Sequence, residues 1–315
     1  MASLYYRKLK LPFSSCLLFG LSSHAVAWVD LETWRPPKVF ALAPSADSIF
    51  IQAEGQRKDT ADSPSMNKHS FTVMGLYPLE DRFVAGLTFS GDYSVLSSHP
   101  SLVGTLSKER TEAITISESK VELATLYALS ETHSIYIAPG ITQVQSAHLG
   151  NTYWEYYHGL TAYSVWALKD DLGVGLGLST GKSARKSYFF PLFGGAWQPS
   201  PDFRIDGWLP ANLNATFKVA DRHAVFSTVE LTGAGATIDG IHDGEQFDVQ
   251  MIGLKLLFGW SFRYPLGIGT GIAKLEPAIG FFRGKFTSTN LQSDSSESKL
   301  TPFRAMYHLR AAVAF

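Results

Sequence analysis

Apolar and polar residues alternate along most of this chain. In the closing stretch "FRAMYHLRAAVAF", every second residue counted back from the end is Phe315, Val313, Ala311, Leu309, Tyr307, Ala305 and Phe303. Between them stand Ala314, Ala312, Arg310, His308, Met306 and Arg304. A period of two is the period of a β-strand, whose side chains leave opposite faces in turn. "DLGVGLGLST" sets Leu172, Val174, Leu176 and Leu178 against Gly173, Gly175, Gly177 and Ser179. "RFVAGLTFSGDY" sets Phe83, Ala85, Leu87, Phe89 and Tyr93 against Val84, Gly86, Thr88, Ser90 and Asp92, and "NLNATFKV" and "SIYIAPGIT" follow suit. Each predicted strand has one greasy face and one small or polar face.

The connections alternate as well. Tight turns are readable at "YPLEDR", "LSETH", "LKDDL", "QPSPD", "VADRH" and "YPLG". Between them lie "GQRKDTADSPSMN", "SVLSSHPSLVGTLSKERTEAI", "QSAHLGNTYW", "GKSAR", "LPAN", "GATIDGIHDGE" and "TSTNLQSDSSESKL". Tight turns on one rim and mostly longer loops on the other predict an all-β fold, an up-and-down antiparallel transmembrane barrel with both termini at the periplasmic rim. The count is about 14 strands, beginning near Ser48 and closing with Pro302 to Phe315, each of about 9 to 13 residues. If "FRIDGWLP" and "NLNATFKV" form a hairpin short of the rim, 12 strands cross.

A soluble sandwich or lipocalin-like barrel turns its apolar faces inward. Here the second face is rich in Gly, Ser, Ala and Thr with isolated charges, a poor dry core, so the apolar face suits lipid. Aromatic residues gather near predicted strand ends. Tyr153, Trp154, Tyr156 and Tyr157 precede one strand, and Trp197, Trp260, Phe262, Tyr264 and Phe315 lie near tight turns or the end. Tyr and Trp favour the headgroup levels of a bilayer.

The N-terminal residues point to export. Arg7, Lys8 and Lys10 precede the short apolar core "LPFSSCLLFGL", and "SSHAVA" ends in a small-x-small pattern at Ala25 to Ala27. This reads as a secretory signal peptide, residues 1–27, removed before Trp28. Cys16, the one cysteine of the chain, falls within it, so the mature protein is expected to have neither disulfide nor thiolate metal site. Removing the three basic residues leaves 24 of the 27 against 28 acids, a formal charge of −4. Such a surface is no partner for nucleic acid. The apolar run around Met251–Gly269 is broken by Lys255 and Arg263, which excludes a membrane helix there. Residues 28–47 are expected to be a periplasmic or plug segment, and residues 48–315 the barrel.

The terminal "YHLRAAVAF" resembles the C-terminal insertion signal of Gram-negative outer-membrane proteins. Tyr307, Leu309, Ala311, Val313 and Phe315 occupy its places. The resemblance implies an outer-membrane β-barrel, exported through the Sec pathway, handled by the barrel assembly machinery and seated among outer-membrane lipid and lipopolysaccharide. "FPLFGGAWQPSPDFRIDGWLPANLNATFKV" is similar to a pattern in some uncharacterised outer-membrane barrel families and implies no substrate. A monomer is expected.

Candidate chemistry is sparse. "GLSTGKS" lacks the first glycine of a phosphate loop, since Leu176 stands there. "GIGTGIAK" lacks dinucleotide spacing. No cofactor or metal site is predicted. His99, His148, His158, His242, Asp239, Asp243, Ser146 and Glu155 fall near the longer loops, where a rim hydrolase would place its residues. The polar face carries more information. Glu54, Glu122, Arg204, Asp206, Lys218, Glu230, Lys255, Lys274, Glu276, Arg304, His308 and Arg310 fall on the face opposite lipid, because Lys or Arg in hydrocarbon costs roughly 2–4 kcal/mol at the midplane. They are expected either to fill the lumen with ion pairs or to line a pore of mixed charge. The resulting expectation is a passive channel or transporter for small solutes. A lipid-modifying hydrolase and an adhesive barrel with partner-binding loops are the alternatives.

Overall fold

A computed structural model of the chain describes residues 39, 49–56, 65–97, 113–148, 150–183, 186–239, 246–266, 272–294 and 296–314. The predicted signal peptide, most of 28–47 and the terminal Phe315 lie outside the described residues. The strands are β1 (Ile49–Gln56), β2 (Ser65–Glu80), β3 (Phe83–Ser97), β4 (Ile114–Ser130), β5 (His133–His148), β6 (Asn151–Lys169), β7 (Leu172–Ser183), β8 (Lys186–Ser200), β9 (Phe203–Leu209), β10 (Asn212–Ala220), β11 (His223–Asp239), β12 (Gln246–Pro265), β13 (Ile272–Asn290), β14 (Ser296–Leu300) and β15 (Arg304–Ala314). Each pairs antiparallel with its sequence neighbours from β1 to β13. β13 pairs with both β14 and β15, and β15 pairs back with β1, which closes the barrel.

β14 and β15 are two pieces of one wall strand, so the closed antiparallel barrel has 14 strands. The break falls where Pro302 lacks an amide hydrogen. Thr301 bridges it: its hydroxyl accepts from the Gly284 amide at 2.7 Å and lies 3.0 Å from the Gly284 carbonyl. The segment "TSTNLQSDSSESKL", expected as a loop, is therefore mostly the top of a hairpin. Two-residue turns sit at 81–82, 131–132, 170–171, 201–202 and 221–222, all within the predicted tight turns.

The apolar face points outward. Leu87, Phe89, Leu123, Ile137, Ile141, Leu176, Phe258, Ile279 and Leu309 are exposed, whereas Val84, Ala124, Ala138, Ala196 and Ala224 on the opposite face are buried. A water-soluble barrel has the reverse arrangement. A continuous belt of exposed Leu, Ile and Phe is stable where hydrocarbon surrounds it.

Two expectations need correction. Strands run well past 9 to 13 residues, to 20 in β12 and 19 in β6 and β13. A tilted strand crosses the hydrocarbon in about 9–11 residues, so these strands are longer than a crossing requires. Toward the long-loop rim the inward face becomes apolar. Met66, Leu96, Ile114, Ile116, Val144, Phe247, Val249, Met251 and Phe286 form one buried cluster that continues down to Leu257 and Ala278. The tyrosine run also divides. It begins β6 rather than preceding it, with Trp154 and Tyr156 exposed and Tyr157 buried.

The glycines of β7 have a packing reason. Gly175 and Gly194 form a shelf for the Trp208 indole, since a Cβ on Gly175 would stand 2.4 Å from that ring and one on Gly194 2.8 Å from it. Tyr163 packs on the indole with ring centroids 4.4 Å apart and stacks on Tyr136 at 4.5 Å. Gly175→Val is expected to destabilise the barrel by about 1–3 kcal/mol through overpacking. Leu87→Arg should do so by roughly 2–4 kcal/mol by burying a charge in lipid. Urea unfolding in phosphatidylcholine vesicles, followed by tryptophan fluorescence, measures both.

Candidate functional site

The lumen is the site, and its chemistry begins with Glu54. Alternation along β1 turns Phe50, Gln52, Glu54 and Gln56 inward, and the β1–β15 register sets Glu54 directly opposite His308. His308 Nδ1 lies 3.1 Å from Glu54 Oε1, while Gln52 Nε2 and Lys255 Nζ donate to the same oxygen. Lys255 belongs to β12 and reaches Glu54 past the two intervening wall strands. It also pairs with its cross-strand neighbour Glu230 at 2.9 Å. Lys255 and Arg304 are 0% exposed. A buried lysine between two carboxylates is stable only with its partners in place.

The remaining predicted charges are held at other points of the wall. Arg310 donates to Glu276 at 3.3 Å and lies over the Phe50 ring at 4.5 Å, and Ser261 donates to the other Glu276 oxygen at 3.0 Å. Arg304 lies opposite Phe282 in the β13–β15 register, and Lys274 is half-buried on β13. Glu122 pairs with Lys120 at 2.6 Å, and Arg204 with Asp206 at 3.1 Å. Lys218 stands apart, paired at 3.0 Å with the exposed Asp221 of the β10–β11 turn.

Sequence reasoning missed Lys68, Glu118 and Lys120, and it left Asp92 out of the inward charges although it set Asp92 on the polar face of its strand. Lys68 and Asp92 pair at 2.8 Å. Their parity was legible: Lys68 shares a face with Ser70 and Thr72, and Glu118 and Lys120 share one with Glu122.

At the long-loop rim the lumen is crossed by β11. β9 and β10 are short, so their last wall pairs toward that rim are Leu209 with Phe193 and Asn212 with Glu230. Beyond Glu230, β11 keeps β12 as its paired neighbour among the described residues. Freed on one side, it leans across the interior to β5 and β6. Ser146 donates its hydroxyl to the Thr237 carbonyl. The Thr237 hydroxyl lies 3.0 Å from Glu155 Oε1 and 2.8 Å from Asp248 Oδ1, Tyr157 donates to Glu155, and Gln246 donates to the Tyr153 hydroxyl. Two of the residues considered for a hydrolase, Ser146 and Glu155, thus serve as points of attachment for β11. His148 is buried at the same rim. His99, His242 and Asp243 lie outside the described residues.

At the tight-turn rim the interior holds Val39. Its backbone N–H donates to the Glu131 carbonyl at 3.2 Å, and its side chain packs with Ala128, Val165, Leu192 and Trp208. The rest of the segment expected as a periplasmic extension or plug lies outside the described residues.

No family model matches the sequence, and no curated protein matches it. Among solved structures, the chain is similar to the siderophore receptor PirA from Pseudomonas aeruginosa, at TM-score 0.29 and 8% identity over 86% of this chain and 81% of that one. It is also similar to the beta domain of the Bordetella autotransporter BrkA, at TM-score 0.28 and 10% identity over 86% and 100%. A third is a ΔS2S3 mutant of the TodX monoaromatic hydrocarbon channel, at TM-score 0.33 and 10% identity over 88% and 92%. At these TM-scores the fold stands on the chain's own strand order and burial.

Lys255→Met leaves Glu54 and Glu230 without their shared cation and is expected to lower stability by about 3–5 kcal/mol. Combining it with Glu54→Gln and Glu230→Gln should restore most of the loss, because the uncompensated charges go with their partner. Equilibrium urea unfolding of the single and triple variants checks the pair of outcomes.

Proposed function

We propose that the chain is an outer-membrane β-barrel of a Gram-negative bacterium, exported through the Sec pathway, that works as a passive channel or transporter for small solutes and rests closed. One observation carries the reading: β11 spans the lumen on side-chain hydrogen bonds after losing its neighbour β10. A strand held this way has two available positions, against the opposite wall or away from it. The contact joins Val144 and Tyr157 to Ala236 and Ile238 in one apolar cluster and adds hydrogen bonds of Thr237 with Ser146 and Glu155, groups that water satisfies equally well once the strand moves.

The interior below supports a neutral or mixed path. Glu54, Lys255, Glu230, Arg310 and Glu276 mix both signs, so a single-sign ion filter is not the design. Val39 occupies the opposite rim, packed with Ala128, Val165, Leu192 and Trp208. The barrel works as a monomer among lipid and lipopolysaccharide, placed there by the barrel assembly machinery. A rim hydrolase is disfavoured because Ser146 is engaged with a backbone carbonyl.

Single-channel recording in planar bilayers tests this. The refolded mature chain is expected to show rare openings. Deletion of residues 28–47 should give steady ohmic conductance when combined with Thr237→Val, which removes the hydroxyl shared by Glu155 and Asp248. A barrel that stays silent in all forms contradicts the proposal.

A further inference from the structure

The short β9–β10 hairpin leaves more than a loose strand. β9 has seven residues, fewer than the roughly 9–11 that a tilted strand needs to cross hydrocarbon. Above the turn at Pro210 and Ala211, no described strand stands between β8 and β11. The turn is itself greasy, with Leu209 and Leu213 exposed on either side of it. The wall is therefore notched at the depth of the lipid chains.

The two posts of the notch differ from ordinary barrel wall. On β8 the alternation fails in "YFFPLF": Phe189 and Phe193 point outward, yet Phe190, on the inward face opposite Ser179, is also aromatic and remains exposed. Pro191 removes a backbone donor from this edge, which suits a strand with no partner on that side. On β11 the facing post is "TGAGAT", Thr232 to Thr237, with almost no side-chain bulk. Inward of it, Ala234, Ala236 and Ile238 join the apolar cluster of Val249, Met251 and Phe286. At this height the described interior is apolar and packed, with Ala236, Ile238, Val249 and Met251 buried against one another. Just below the notch, Glu230 pairs with the buried Lys255 and so with Glu54. An apolar molecule moving straight on to the periplasm would have to displace buried ion pairs. Sideways it meets lipid chains.

From this geometry, and resting on the transport reading above, we propose that the notch between β8 and β11 is a lateral port. Through it a small apolar solute, one that dissolves in hydrocarbon, passes between the lumen and the outer-membrane bilayer. The charged network is the floor that turns it aside, and the inward lean of β11 is the closed position of the port.

Photolabelling tests the port without requiring conductance, so a silent barrel and an absent port give different results. The full mature chain in phosphatidylcholine vesicles is irradiated with an iodophenyl diazirine, a small apolar arene that dissolves in the bilayer, and labelled residues are mapped by mass spectrometry. The lipid-facing Leu87 and Phe89 report the bilayer itself. Label is expected also on the inward Phe190, Ala234 and Met251, and excess toluene should compete it away there. Phe190→Lys places a charge in the port and should cut label on Ala234 and Met251 about tenfold, leaving Leu87 unchanged. Phe190→Gln should act in the same direction if the lysine variant does not fold. Label confined to outward residues overturns the proposal. So does interior label that neither substitution diminishes, since the arene would then be entering from water at the long-loop end.

Discussion

In hydrocarbon an unpaired backbone amide or carbonyl costs several kcal/mol, so a sheet that crosses a membrane must close on itself. The pairing of β1 with β15, from Ile49 opposite Val313 to Gln56 opposite Met306, makes that closure here. Much else follows from its register. It sends Ile49, Ile51 and Leu309 to the lipid side and sets Glu54 against His308 within reach of Lys255. A slip of one residue would turn one of the two strands over, putting Glu54 or His308 in lipid and parting the pair.

The same constraint explains the irregular part of the wall. Short β9 and β10 deprive β8 and β11 of ladder partners inside the bilayer, a position that open edges do not tolerate. The chain answers on each side in a different way. β8 carries Pro191, one backbone donor fewer, and β11 leans inward until Thr237 meets Ser146 and Glu155 on the opposite wall. The lean of β11 at the long-loop rim thus answers a gap in the wall.

Most of the fold was legible because lipid imposes a strict pattern. Wherever a strand faces hydrocarbon, as in "RFVAGLTFSGDY" and "DLGVGLGLST", period-two alternation identified both the strand and its outward face. The pattern failed where the inward face is itself apolar. Toward the long-loop rim Ile114, Ile116, Val249 and Met251 turn inward, and nothing in local alternation distinguishes an apolar residue facing an interior from one facing lipid. The candidate site was partly readable. Glu54, Lys255, Glu230 and His308 were identifiable as polar positions on the inward parity, but their meeting depends on curvature that brings Lys255 of β12 within reach of β1 past β13 and β15, which sequence spacing does not encode. Lys68 was readable by the same parity and was missed, while Asp92 was set on the polar face without being counted among the inward charges. The glycines of β7 marked an inward face, but their use as a shelf for Trp208 required the partner strand to be known.

Cysteine pairing across the seam tests the central claim most directly, since Cys16 is the chain's one cysteine and lies in the predicted signal peptide. Directly opposed residues of an antiparallel pair have Cα atoms about 4.5–5.5 Å apart, within disulfide range. Ala53→Cys with Leu309→Cys occupies such a pair in β1 and β15. The account predicts that this variant forms an intramolecular disulfide on mild oxidation of the membrane-inserted barrel, and that Ala53→Cys with His308→Cys, whose side chains leave opposite faces, does not. Cross-linking of the second pair in place of the first would contradict it.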